Sequence, residues 1–151
     1  RAFLELGYIF QKKGDPLAIT YYQNALQVEP KNTEIRYNLA MMFQELGQKD
    51  EAVGEYKRIV EIDPQHKGAL HNIGYIYLLF DKKYEEAIAF FTKAIEIDPE
   101  FVNAVSNRAL AFEEIGQYDN ARQDYLYCLQ LNDKFEPAIL GLNRLDKIKR
   151  K

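Results

Sequence analysis

The chain has 151 residues, 47% hydrophobic and 28% charged, with a formal net charge of -3. Those values fit a chain that buries a core, and they exclude a disordered tail or a collagen-like fibre. The mild acidity leaves no electrostatic footprint for nucleic acid, and no run of 18 apolar residues is present, so neither nucleic-acid binding nor membrane insertion is expected.

Residues 2–13 carry Phe3, Leu6, Gly7 and Phe10, the spacing of one apolar helix face. Gly14-Asp15-Pro16 breaks that helix, and Pro16 is placed for the first turn of the next, predicted over 16–28 with Ala18, Tyr22, Ala25 and Leu26 inward. Glu29-Pro30 ends it, because the residue before a proline is pushed out of the helical region. Asn32 or Thr33 caps the third helix, whose inner face is Ile35, Leu39, Ala40 and Phe43. Gly47 stops it, and a helix over 49–62 runs to Asp63-Pro64. The next pair reads Leu70, Ile73, Gly74 and Tyr77, then a helix over 84–97 closed by Asp98-Pro99. A further pair reads Val105, Ala109 and Phe112, then Gly116, then a helix over 118–131.

The last segment, 135–150, has Ala138, Leu142 and Leu145 on one edge, with Asn143, Arg144, Asp146 and Lys147 around the other side. It is expected to cap the stack with a polar outer face. The terminal KIKRK (147–151) reads as a solvated helix end beneath the last carbonyls.

Ala18, Tyr22, Ala25 and Pro30 recur as Ala52, Tyr56, Ile59 and Pro64, as Ala87, Phe91, Ala94 and Pro99, and as Ala121, Tyr125, Cys128 and Asp133. The prolines at 30, 64 and 99 are 34 and 35 residues apart, and Asp133 lies a further 34 along. A fixed period of that length means a stack of small two-helix units. Cys128, the only cysteine, falls in a slot that other units fill with Ala25, Ile59 and Ala94, so it is expected to be a buried packing residue. Gly7 and Gly74 inside helices cost about 0.5–1 kcal/mol each against Ala, a cost expected to be offset by close approach of the two helices of a unit. Phe10, Phe43, Tyr77 and Phe112 fill the space between.

In its units of Phe3, Leu6-Gly7, Phe10, Ala18, Tyr22 and Pro30, and in the three that follow, the chain resembles the tetratricopeptide repeat family. The match covers about residues 2–133 and departs from the pattern at Arg36, Arg108 and Asp133. It implies an all-α, right-handed α-solenoid of four helix-turn-helix repeats (about 1–31, 32–65, 66–100 and 101–134), with a C-terminal capping helix at 135–150, forming a single domain. The spacing from Tyr77 to Ala87 is one residue longer than from Phe43 to Ala52, and from Phe10 to Ala18 one shorter. The extra residue near LLFDKKY (78–84) is expected to loosen the turn, with a π-bulge as the alternative.

No residue set suits catalysis: the two histidines, His66 and His71, lie in no nucleophile, metal or phosphate motif, and Glu85-Glu86 and Glu113-Glu114 read as solvated faces. No enzyme activity, cofactor or metal is therefore expected. The resemblance instead implies a concave groove lined by first helices, which binds a protein or peptide. The matching positions are Leu4, Glu5 and Tyr8; Tyr37, Asn38 and Met41; His71, Asn72 and Tyr75; and Ser106, Asn107 and Leu110. Asn38, Asn72 and Asn107 occupy one equivalent position, and an amide there suits a peptide backbone, or else bonds only to neighbouring helices. The family's carboxylate clamp for chaperone C-termini falls on Tyr37, Met41, Asn72, Asn103 and Asn107; its cations are absent, so the chaperone acidic tail is not the expected partner.

Leu78, Leu79 and Phe80 form either a contact patch or packing beneath the lengthened turn. The expected function is a non-catalytic interaction module. The alternatives are a scaffold that self-associates as a homo-oligomer, and a regulatory segment of a larger protein. The chain opens at Arg1 within an amphipathic pattern, so a fragment or processed form is expected, and its compartment is open.

Overall fold

A computed structural model describes residues 1–149, and it contains nine α-helices, one π-helical turn and no strand among those residues. Arg150 and Lys151 of the basic cluster, and the last residue of the expected 135–150 helix, lie outside the described residues. The fold is an all-α solenoid of helical repeats. Its helices pack as two compact units, one of Arg1–Ala69 and one beginning at Leu70.

In the first unit, α1 (Ala2–Lys12) pairs with α2 (Leu17–Val28), and α3 (Thr33–Glu45) with α4 (Lys49–Ile62). Helix α3 starts as its sequence predicts, with the Asn32 side chain accepting from the Ile35 N–H at 3.2 Å. Ala18, Tyr22, Ile35, Ala52, Tyr56 and Ile59 are fully buried, each isoleucine contributing about 1.5–3 kcal/mol. A Cβ on Gly7 would lie 2.5 Å from the Tyr22 ring, so the glycine is what admits that aromatic.

Arg36, at a position where the family pattern is apolar, donates from Nη1 to Glu55 on α4 at 2.7 Å and from Nη2 to the Pro30 carbonyl at 2.6 Å. The ion pair joins α3 to α4. In low dielectric such a departure from the pattern holds only because both charges are paired.

The second unit continues through α5 (Lys67–Ile76, within which the division falls), a π-turn (Tyr77–Asp81), α6 (Tyr84–Ile97), α7 (Val102–Glu114), α8 (Tyr118–Leu131) and α9 (Glu136–Lys149). The π-turn corrects the expected looser loop. Three hairpins end their first helix alike: the carbonyls of Phe10, Phe43 and Phe112 accept from the N–H five residues on, at 2.8–2.9 Å, and Gly14, Gly47 or Gly116 takes a left-handed φ. In the remaining hairpin the Tyr77 carbonyl accepts from Lys83, six residues on, and Lys82 takes φ 54°. The extra residue thus widens the last helical turn, and the exit corner keeps its geometry.

Corners between pairs also repeat. Asp63, Asp98 and Asn132 each accept, through a side-chain oxygen, from the N–H two residues on, at 3.0–3.1 Å. The Asn132 corner sets α9 in the register of α7, so Ala138 and Leu145 are buried where Ala104 and Ala111 are buried 34 residues earlier. The polar outer face expected of a cap is only partly present, since α9 exposes Ile139, Leu140 and Ile148.

Arg108 binds Asp124 through Nε and Nη2, both at 2.8 Å, joining α7 to α8. Cys128 is buried as expected, and burial pushes its thiol up to about 12.

Candidate interaction surface

Tyr8, Tyr37, Asn38, Met41, His71, Asn72, Tyr75, Asn107 and Leu110 are all half-buried, whereas Leu4 and Ser106 at matching positions are buried and belong to the core. In the first unit, Asn38 Nδ2 on α3 donates to the Tyr8 hydroxyl on α1 at 3.1 Å, and that hydroxyl donates to Glu34 at 2.5 Å. The Glu34 bond and then burial hold the Tyr8 phenol above its ordinary range. Tyr37 packs against Tyr56 and His66, with ring centroids 5.7 and 5.2 Å away, and His66 Nδ1 caps its helix by accepting from Ala69 N–H at 3.0 Å.

In the second unit, His71 lies between two of the equivalent amides. Asn72 Oδ1 is 3.2 Å from Nδ1 and Asn107 Nδ2 is 3.1 Å from Nε2. One neutral tautomer satisfies both contacts: Nδ1–H donates to Asn72, and Nε2 accepts from Asn107. The ring also lies 4.9 Å from Phe101, 5.7 Å from Phe91 and 6.2 Å from Tyr75 between centroids. Burial lowers its pKa, with the Asn72 bond opposing. The bonds to Asn38 and Asn107 link first helices of successive pairs. Each carboxamide nitrogen keeps a second N–H, so bonding to a neighbour and bonding to a ligand are compatible.

The run Leu78, Leu79, Phe80 divides: Leu78 is buried, and Leu79 and Phe80 are exposed. Aligning the hairpins explains Leu78. Its equivalents Gln11, Gln44 and Glu113 each accept from a buried tyrosine hydroxyl, those of Tyr22 at 2.5 Å, Tyr56 at 2.9 Å and Tyr125. Where those tyrosines stand, the remaining hairpin has Phe91, without a hydroxyl, and the acceptor position is correspondingly apolar. Burial is the first cause raising Tyr22 to about 12, and it also raises Tyr125, with Glu113 adding to the shift.

Glu113 is therefore not on the solvated face expected for it. Arg144 of α9 grips it through Nε at 3.2 Å and Nη2 at 2.9 Å, and Nη2 also reaches the Tyr125 hydroxyl at 3.2 Å.

Leu110 lines two cavities. One, of about 300 Å³, is bounded by Ser106, Asn107 and Leu110 of α7, by Pro137, Leu140 and Arg144 of α9, and by Tyr125 of α8. The other, of about 290 Å³, is bounded by Leu78, Leu79 and Lys82 of the π-turn region, Tyr84, Leu110 and Glu114. Leu140 and Arg144 were missed in the sequence reading. The signal was present, since they stand 34 residues beyond Ser106 and Leu110.

Sequence profiles described as tetratricopeptide repeat match residues 17–73, 68–101 and 90–123, together more than half of the chain. The chain belongs to the tetratricopeptide repeat family. Its repeats are 35% identical over 74 residues to human Protein O-mannosyl-transferase TMTC3, a match covering 48% of this chain but 8% of that protein. Among solved tetratricopeptide structures, MamA superposes with a TM-score of 0.89 at 23% identity, covering 95% of this chain and 84% of that one. The first repeat domain of Spaghetti (RPAP3), bound to the HSP90 peptide SRMEEVD, superposes with a TM-score of 0.75 at 20% identity, covering 79% and 94%. At these identities the structures share the fold. Tetratricopeptide repeats are in general non-catalytic protein-interaction modules, and no described helix is long and apolar enough to cross a membrane.

Proposed function

We propose that this chain is a non-catalytic module that holds a peptide or partner segment on the groove face of its first helices. The observation that carries this reading is the cavity between α7 and α9, which opens beside Asn107 and Leu110 and is walled by a mixture of apolar and amide groups. Half-buried Tyr37, together with Met41 and Tyr75 at one equivalent position, supplies adaptable apolar area on the first helices. The HSP90 peptide seen on Spaghetti (RPAP3) is not the ligand we assign. The clamp positions carry His71, Tyr75, Asn107, Pro137 and Gly141 in the frame that includes α9, so cations are missing there too.

Panning a displayed random peptide library on the chain tests the groove. A selected peptide should lose at least about tenfold in affinity to Tyr37→Ala, Tyr75→Ala or Leu110→Arg, about 1.4 kcal/mol. The thermal midpoint of at least the first two variants should stay within a few degrees. A peptide that binds all three as tightly as the parent chain sinks the groove reading.

Self-association is a second reading, favoured by the exposed Ile139, Leu140 and Ile148 of α9. A mass by sedimentation that stays monomeric across dilution rejects it.

A further inference from the structure

The two cavities on either side of Leu110 have the same electrical character. Arg144 lines the α7–α9 cavity, but both oxygens of Glu113 already answer its charge, at 2.9 and 3.2 Å, and the Glu113 side chain is only 12% exposed. Lys82 and Glu114 together line the π-turn cavity. Each cavity is thus balanced, one cation to one anion: Leu110 and Leu140 give the first a mainly apolar wall, whereas in the second Leu78, Leu79 and Leu110 stand beside the polar groups of Lys82, Tyr84 and Glu114. An incoming carboxylate would have to share Arg144 with a largely buried Glu113, which places two like charges on one guanidinium. A neutral acceptor meets no such cost, and Arg144 Nη1 and the second N–H of Asn107 Nδ2 supply donors at the same rim. At about 300 Å³ each cavity lies at the small end of ligand pockets, enough for a side chain and not for a large ligand.

Resting on the groove reading above, we propose that the second unit recognises an uncharged, extended segment by seating two aliphatic or aromatic side chains astride Leu110, one in each cavity. Side chains on one edge of an extended chain recur at every second residue, about 6.6–6.8 Å apart, so the two anchors would stand at i and i+2. The π-turn gains a role in this arrangement. It carries Leu79, 43% exposed, which lines the second cavity.

The experiment titrates the isotopically labelled full chain with acetylated and amidated pentapeptides, followed by amide chemical shifts. One peptide alternates serine and leucine, with leucines at the second and fourth positions. The second has a single leucine, and the third replaces the outer serines of the first with aspartate. The two-leucine peptide should give saturable shifts around Leu110, Leu140 and Lys82, and bind at least about tenfold tighter than either of the others. Leu110→Trp, which puts a bulkier ring between the two cavities, should weaken binding at least about tenfold. Leu140→Asp, at an exposed position, should weaken binding at least about tenfold without disturbing the spectrum elsewhere. Equal or tighter binding of the aspartate peptide overturns the proposal, as does indifference to both variants. Saturable shifts confined to Tyr8, Tyr37 and Met41 also overturn it, and they leave the groove reading standing.

Discussion

The α5–α6 and α7–α8 pairs bring equivalent backbone positions together with opposite chemistry. In α7–α8, Arg108 is bound by Asp124 and Thr92, and Tyr125 donates to Glu113, which Arg144 also holds. In α5–α6 the same positions carry Ile73, Phe90, Phe91 and Leu78, all apolar. Ile73 and Phe91 are fully buried, as are Ala109 and Ala121 of the other pair. The helix hairpin therefore accepts an apolar seam or a completed polar one. What it resists is a half-exchanged seam, because a buried polar group without its partner costs its full desolvation.

The largest effect should come from halving the ion pair. Asp124→Ala leaves the Arg108 guanidinium, whose side chain is 21% exposed, without its carboxylate, and is expected to destabilise the chain by about 3 kcal/mol. Exchanging both partners for the residues of the apolar pair, Arg108→Ile with Asp124→Phe, should recover most of that loss. Urea midpoints at constant slope measure both. A double variant as weak as the single one would show that the two seams are not interchangeable.

The reverse exchange should cost less. Phe91→Tyr directs a hydroxyl at the position of buried Leu78, a loss of about 1–3 kcal/mol. Adding Leu78→Gln recreates the arrangement of Tyr56 with Gln44 and should restore stability. A double-mutant cycle with no coupling would remove the hydroxyl–acceptor account of Leu78.

This pairing also shows what the sequence could and could not disclose. Helix limits were legible because Gly47, Pro64, Pro99 and Gly116 act locally, and Asn32 caps α3 through its own side chain. The tyrosine acceptors were not legible, because the family pattern treats Tyr22, Tyr56, Phe91 and Tyr125 as one aromatic slot. Only a column made of Gln11, Gln44, Leu78 and Glu113 reveals that the hydroxyl and its acceptor change together. Its link to the aromatic slot is hard to see, since the hairpins differ in length between the two positions. Leu78 then reads equally as contact patch or as packing beneath the turn, when it is a core residue, and Glu113 reads as solvated when it is held. The α9 contribution was hidden for a similar reason: Asp133 replaces the proline that marks a new unit, so Leu140 and Arg144 read as a cap. Whether the half-buried first-helix residues bind a ligand depends on a partner's chemistry, which no intramolecular spacing encodes.

The amides around His71 extend the comparison to pH, because here a titratable ring lies within the apolar pair, against Phe91. Protonation would add an N–H at Nε2 facing the donor Nδ2 of Asn107. The folded pKa is lowered from the ordinary value near 6.5, so the contribution of this ring is complete above about pH 6.5 and is lost as pH falls through the lowered value. Urea midpoints taken from pH 7.5 downward should fall below pH 6.5, and His71→Gln should flatten that part of the curve. An identical slope in the variant would assign the acid sensitivity to other groups.

The smallest expected effect is at the corner where the two hairpins differ in backbone. Lys82 takes φ 54°, the conformation that Gly116 takes at 78° in the α7–α8 pair. An L-residue there costs about 1–2 kcal/mol, and glycine returns part of it through its greater unfolded freedom. Lys82→Gly should therefore raise stability by about 0.5–1 kcal/mol, while Gly116→Ala lowers it by at least that amount. The sign separates two origins of the π-turn. A gain in Lys82→Gly with the Lys83–Tyr77 hydrogen bond still protected from exchange means that the extra residue makes the wide turn, with the strained lysine merely tolerated. Loss of that protection would instead make the left-handed lysine the feature that holds the turn open.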